Sequence, residues 1–216
     1  MFNLMYDYAV LAGLVSVNPA RQFSLKGIQN KIEKQRDEKI PFSKEHLKEL
    51  WKDLEFCYTR MVLINIYSGW RPQEMLLLKK SDIDFENMTM TGGMKTEAGT
   101  NRTVPIHSAV LNLIRYYYDR SPGELLFYDY DQPKPVKMTY DKYRGRFSKI
   151  MLHHGWDIYS PSCPRHTFAT LAMEYKIDEY AKKKIMGHEI SDVTLKHYTH
   201  IEMRNYLKTE IEKIQV

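Results

Sequence analysis

The stretch Met61-Val62-Leu63-Ile64-Asn65-Ile66-Tyr67 is apolar on nearly every side of a helix. Such a helix is stable only when other elements enclose it, so the segment predicts a buried helix at the centre of a core. At 216 residues the chain is long enough to supply that core. Ser68-Gly69 ends the helix, and Pro72 suits the first turn of a short following helix carrying Glu74, Leu76, Leu77 and Leu78. Arg71 then falls at a buried helix junction, where a solvated arginine is not expected.

Around this segment the pattern is mostly helical. Ser43 is a suitable N-cap for a helix in which Leu47, Leu50, Trp51 and Leu54 recur at three- and four-residue spacing. Ile83, Phe85, Met88 and Met90 alternate with polar residues and suggest short strands. Gly92-Gly93 and the run from Glu97 to Asn101 supply turn chemistry, and residues 102–106 read as the returning strand, with Lys95 near the hairpin tip. Further helices are expected at 108–119, 139–152, 163–175, 178–186, 191–198 and 203–214. The fold class is mainly α with a small antiparallel β-sheet, an α+β arrangement.

At the N-terminal end, residues 2–14 read as an amphipathic helix followed by a basic, polar linker through Lys39. One helix cannot bury its own apolar face, so it either docks on the rest or belongs to a larger preceding domain. The division is then residues 1–40 for that helix and linker, and 41–216 for one domain with a C-terminal helix.

Composition bounds the partners. The hydrophobic share is 43% and the charged share 27%, as in ordinary globular proteins. Thirty-two Lys and Arg against 27 Asp and Glu give 32 − 27 = +5, an excess that permits nucleic-acid binding without demanding it. No apolar run reaches the roughly 18 residues of a membrane span and no secretory leader is recognisable, so a cytoplasmic protein without a membrane partner is expected. Cys57, in an apolar helix-like stretch, and Cys163, beside Pro164, have neither metal-ligand spacing nor a disulfide framework, and both read as reduced and non-catalytic.

The candidate chemistry lies in an ordered series: Arg71 within Gly69-Trp70-Arg71-Pro72-Gln73-Glu74, then Arg165-His166-Thr167-Phe168-Ala169-Thr170, Met186-Gly187-His188 and Tyr198-Thr199-His200. A phosphodiester under attack carries charge on its non-bridging oxygens, and planar guanidinium groups match that geometry with paired hydrogen bonds. Arg71 and Arg165 therefore suit a phosphate clamp. A tyrosine can act as covalent nucleophile at such a centre, while His166, His188 and Lys95 can move the protons. This scheme needs neither a metal nor a cofactor.

Together these segments and Lys95 resemble the catalytic domain of the tyrosine recombinases, the phage integrase family, over about residues 41–200. Residues 1–20, with Asn18-Pro19-Ala20, resemble the closing helix of that family's core-binding domain. The resemblance implies a site-specific recombinase that integrates or excises a mobile element by cleaving and rejoining double-stranded DNA. Tyr198 would attack the phosphodiester to give a 3′-phosphotyrosine, Arg71 and Arg165 would hold the non-bridging oxygens, Lys95 would protonate the leaving 5′ oxygen, and His188 would hydrogen-bond the phosphate. Glu74 and His166 would support them. The family also implies a homo-oligomer on DNA, a tetramer in the synapse.

One position departs from the family's pattern. Where a histidine usually stands three residues before the second arginine, this chain has Ser162, followed by Cys163-Pro164. Serine offers a hydrogen bond but no proton store near neutral pH. A competing reading is therefore a DNA-binding remnant or regulator that keeps the clamp and recombines poorly. His153 and His154, before Gly155, read as residues at a helix end rather than as replacements. Lys79-Lys80 and Lys182-Lys183-Lys184 fit a solvated face or phosphate-backbone contact equally well. The last segment, with Leu207, Ile211 and Ile214 on one face, fits docking on its own domain or on a neighbouring copy equally well.

Overall fold

In the computed structural model, residues 2–22, 40–94, 100–189 and 200–215 are described. The chain divides into two units, Met1–Glu38 and Lys39–Val216. The first holds α1 (Phe2–Leu11) and α2 (Pro19–Gln22). Helix α1 stops short of residue 14 because Gly13 turns the chain at φ 68° and the Leu14 amide closes onto the Ala9 carbonyl at 2.9 Å. The Asn18 side chain accepts from the Ala20 amide at 2.9 Å and donates to Asp7 at 2.8 Å, while Arg21 grips both Asp7 oxygens at 3.0 and 2.9 Å. None of the residues of α1 is buried, and Phe2, Leu4, Tyr8 and Leu11 stand exposed.

The second unit begins with α3 (Lys44–Lys52), capped as expected by the Ser43 hydroxyl on the His46 amide at 3.2 Å. Helix α4 (Thr59–Ser68) follows, and every residue in it except Arg60 is buried. It packs on the helix Cys163–Glu174 and on three further helices, which is the enclosure its composition requires. Cys57 does not lie in a helix: it occupies the turn before α4 at φ 48°. Gly69 caps α4 at φ 64°, and a Cβ there would come within 2.6 Å of the Phe168 ring, so both backbone and packing demand glycine. Pro72 then opens α5 (Pro72–Met75), with Arg71 as its N-cap residue.

Strands β1 (Ile83–Asp84), β2 (Thr89–Gly92) and β3 (Arg102–Pro105) form an antiparallel sheet in that order, with Met90 opposite Val104 and Gly92 opposite Arg102. A short 3₁₀ turn leads into α6 (Leu111–Arg120). A second, two-stranded pairing of β4 (Tyr128–Asp129) with β5 (Val136–Lys137) was not expected. Strands of two residues carry too little periodicity to be seen in sequence.

Helices α7 (Tyr140–His154), α8 (Cys163–Glu174) and α9 (Glu179–Met186) match their expected positions. The helix expected at 191–198 lies outside the described residues. Helix α10 (His200–Ile211) starts earlier and ends earlier than 203–214. Leu207, Ile211 and Ile214 are nevertheless all buried, and α10 packs on β3 and α9 of its own unit. The His107 imidazole bonds the Ile214 carbonyl at 2.8 Å, and Ser108 bonds Glu212 through its amide and hydroxyl at 2.7 and 2.6 Å.

Candidate active site

The C-terminal ends of two helices converge on one arginine. Arg165, in the first turn of α8, donates from Nη1 to the carbonyl of Gly69, the residue capping α4, at 2.6 Å. From Nη2 it donates to the carbonyl of Met186, the last residue of α9, at 2.7 Å. Helix C-termini present unsatisfied carbonyls and partial negative charge, so they are natural seats for a guanidinium. These bonds hold the guanidinium of a residue that is 92% buried, and among the described residues no carboxylate pairs with it.

Nη2 also donates to His188 Nε2 at 3.0 Å. Arginine can only donate, so Nε2 presents its lone pair and the ring proton is assigned to Nδ1. His188 follows Gly187, which turns the end of α9 at φ 65°. Burial and then the positive charges of Arg165, Arg71, Lys182 and Arg102 lower the His188 pKa, which keeps the ring neutral at neutral pH.

Arg71 is held differently. Its Nη1 donates to Glu74 at 3.0 Å, and the Glu74 carboxylate reaches back toward the Arg71 amide in a capping box. The other Glu74 oxygen accepts from Arg102 Nη2 at 2.7 Å. Burial alone would raise the Glu74 pKa, but the bonds and charges of Arg102 and Arg71 outweigh it and hold the carboxyl below its ordinary value. One buried carboxylate thus pairs with both arginines.

Arg102 is a site-supporting residue that sequence reasoning missed, because the first residue of a strand carries no signal of burial. Its guanidinium lies 4.0 Å from the centroid of the Trp70 ring, and its Nε donates to the Ile185 carbonyl at 3.0 Å. Burial lowers its pKa, partly offset by Glu74.

The resulting cleft, of about 550 Å³, is lined by Arg71, Arg165, His166 and His188 together with Ser162, Gln73 and Tyr140. The fold therefore gathers residues more than a hundred positions apart. Arg71 is less buried than Arg165, with its side chain 29% exposed, so the junction is more open than the sequence suggests. Burial, then the positive charges of Arg71 and Arg102, push the Arg165 pKa down to about 9, only partly countered by Glu74. The group stays protonated at neutral pH, in a cleft with surplus positive charge.

Ser162 stands at the mouth of α8, its hydroxyl 2.9 Å from that of Ser160 and making no capping bond. It lines the cleft. His153 and His154 end α7 and do not line it. Tyr140 and Gln73 were not singled out in sequence, and their place is set by tertiary packing alone. Lys95 and Tyr198 lie outside the described residues.

A model of the phage integrase family matches residues 40–205. The tyrosine recombinase XerA of Pyrococcus furiosus is 28% identical over 211 residues, covering 88% of this chain and 69% of that protein. XerA of Saccharolobus solfataricus is 31% identical over 146 residues, 65% of this chain and 46% of its own. Among solved structures, the Tn1549 transposon integrase in complex with circular intermediate DNA superposes with a TM-score of 0.65 at 20% identity, over 94% of this chain and 74% of that one. A crystal structure of XerA recombinase gives 0.58 at 21%, over 77% and 63%.

The chain belongs to the phage integrase family. It has the tyrosine recombinase catalytic-domain fold, an enzyme class of site-specific DNA recombination, and the alternative of a DNA-binding remnant is not favoured. No described helix is long and apolar enough to cross a membrane.

Proposed function

We propose that the cleft binds one phosphodiester of double-stranded DNA and that Tyr198 cleaves it. The observation that carries this reading is the placement of Arg71 and Arg165 in one cleft, with Arg165 short of negative charge and His188 bonded to it. A phosphate supplies the missing anion and takes paired hydrogen bonds from both guanidinium groups.

In this reading the Tyr198 hydroxyl gives its proton to solvent as its oxygen attacks phosphorus, a phosphotyrosine bond forms, and the bond to the 5′ oxygen breaks. Lys95 delivers the proton to that oxygen. Arg71 and Arg165 stabilise the charge that builds on the non-bridging oxygens, and His188 adds a hydrogen bond to the phosphate. Attack by a second 5′-hydroxyl reverses the step and joins a new strand, so bond energy is kept and no nucleotide hydrolysis is required. Ser162 contributes at most a neutral hydrogen bond where a histidine would supply a proton.

Residues 1–40 are assigned as the closing helix and linker of a core-binding domain, and 41–216 as the catalytic domain. The assembly on DNA is a homo-oligomer, a tetramer in the synapse. The test uses a nicked suicide substrate with the recombination site of the mobile element carrying this gene. Wild-type protein should form a covalent protein–DNA adduct that Tyr198→Phe abolishes. Salt-sensitive binding with no adduct in either protein would refute the assignment.

A further inference from the structure

Away from the cleft, the ends of α3 and α7 bring together Asp53, His153 and His154. One ligand atom of each lies within 4.8 Å of the others. Asp53 Oδ2 stands 3.2 Å from His153 Nε2 and 3.3 Å from His154 Nε2. Asp53 Oδ2 and His154 Nε2 are both buried, yet neither makes a hydrogen bond in the structure. Buried polar atoms are ordinarily satisfied, so two orphans facing each other across 3.3 Å call for a shared partner.

Three further features suit a cation. Asp53 caps the C-terminus of α3 and the two histidines are the last residues of α7, so two helix ends of partial negative charge meet at this point. The imidazole rings are held in place by stacking: His153 on Phe56 at 3.8 Å, and His154 on Trp156 at 4.2 Å. Glu49 lies 3.9 Å from His154 Nδ1, on the far side of the ring from Asp53, where a carboxylate favours the tautomer that leaves Nε2 as a ligand.

We propose that Asp53, His153 and His154 form a binding site for a divalent transition-metal ion of the zinc class, pinning the end of α7 to the end of α3. Two imidazoles and a carboxylate fit such an ion, with water completing the tetrahedron. None of the three residues lines the cleft, so the ion is structural and takes no part in strand cleavage.

The experiment titrates zinc into untagged, chelator-treated full-length chain by calorimetry, and repeats it with Asp53→Asn and with His153→Ala. The His153 side chain is 47% exposed, so its removal should leave the fold intact. One zinc per chain is expected, with each variant binding at least ~10-fold more weakly. The wild-type melting temperature should rise by roughly 5–10 °C at zinc about a hundredfold above the dissociation constant, and the variants' should not. Absence of binding, or equal affinity in wild type and both variants, would overturn the site.

Discussion

Arg165 donates to His188 at 3.0 Å, and the same guanidinium nitrogen holds the last carbonyl of the helix that delivers His188. Arg165 and its neighbouring histidine are thus positioned by one bond network. That network requires His188 to be neutral, because an imidazolium has no lone pair to accept with.

The pH dependence follows from the sign of the shift. The folded-state pKa of His188 is below its ordinary value of 6.5, so between the two the unfolded chain binds more protons. Stability linked to this group is full above about 6.5 and is lost as pH falls through the folded value. In thermal melts, wild type should therefore lose stability faster than His188→Gln on acidification. A difference between the two that stays constant over this range would show that the histidine is not held neutral by Arg165.

Glu74→Ala removes the shared acceptor of Arg71 and Arg102 and leaves Arg102 buried without its carboxylate. Breaking a buried pair from one side costs on the order of 3–5 kcal/mol, which urea denaturation should register. Adduct formation should fall as well, since Arg71 loses its orientation. A loss below 1 kcal/mol would mean that water readily replaces Glu74.

Gly69→Ala meets two obstacles, a backbone at φ 64° and a Cβ contact of 2.6 Å with the Phe168 ring. Left-handed geometry costs roughly 1–2 kcal/mol for a non-glycine residue, and overpacking adds typically 1–3. A total of about 2–5 kcal/mol is expected from denaturation curves. Adding Phe168→Leu should recover part of it if the ring contact is real, and none if the strain is purely conformational.

Ser162→His restores a titratable group at a position that does line the cleft. Proton transfer by a positioned side chain is worth typically 10²- to 10⁴-fold, so cleavage of a suicide substrate should rise measurably. Equal single-turnover rates for the two proteins would show that the serine costs nothing.

Legibility in the sequence followed the range of the physics involved. Local rules placed the Ser43 cap, the Gly69 and Pro72 junction, the enclosed helix α4 and the three-stranded sheet, because capping, chain reversal and apolar period act within a few residues. The series Arg71, Arg165 and His188 was equally legible as chemistry, and the structure brings these three into one cleft. Beyond that range the reading stopped. Arg102 and Tyr140 gave no local sign of their surroundings, the two-residue strands β4 and β5 were too short for periodicity, and Cys57 in its turn looked helical from its apolar neighbours.

By itself the sequence determined the fold class and the family and singled out Arg71, Arg165 and His188 as candidates, since residue type and order carry those. The tertiary structure alone decided that Glu74 serves two arginines, that Arg165 is seated on the ends of two helices, and that the face of Leu207, Ile211 and Ile214 is covered by its own domain. These are relations between distant segments. Burial and pairing depend on what the remaining chain places beside a residue, and no local pattern encodes that.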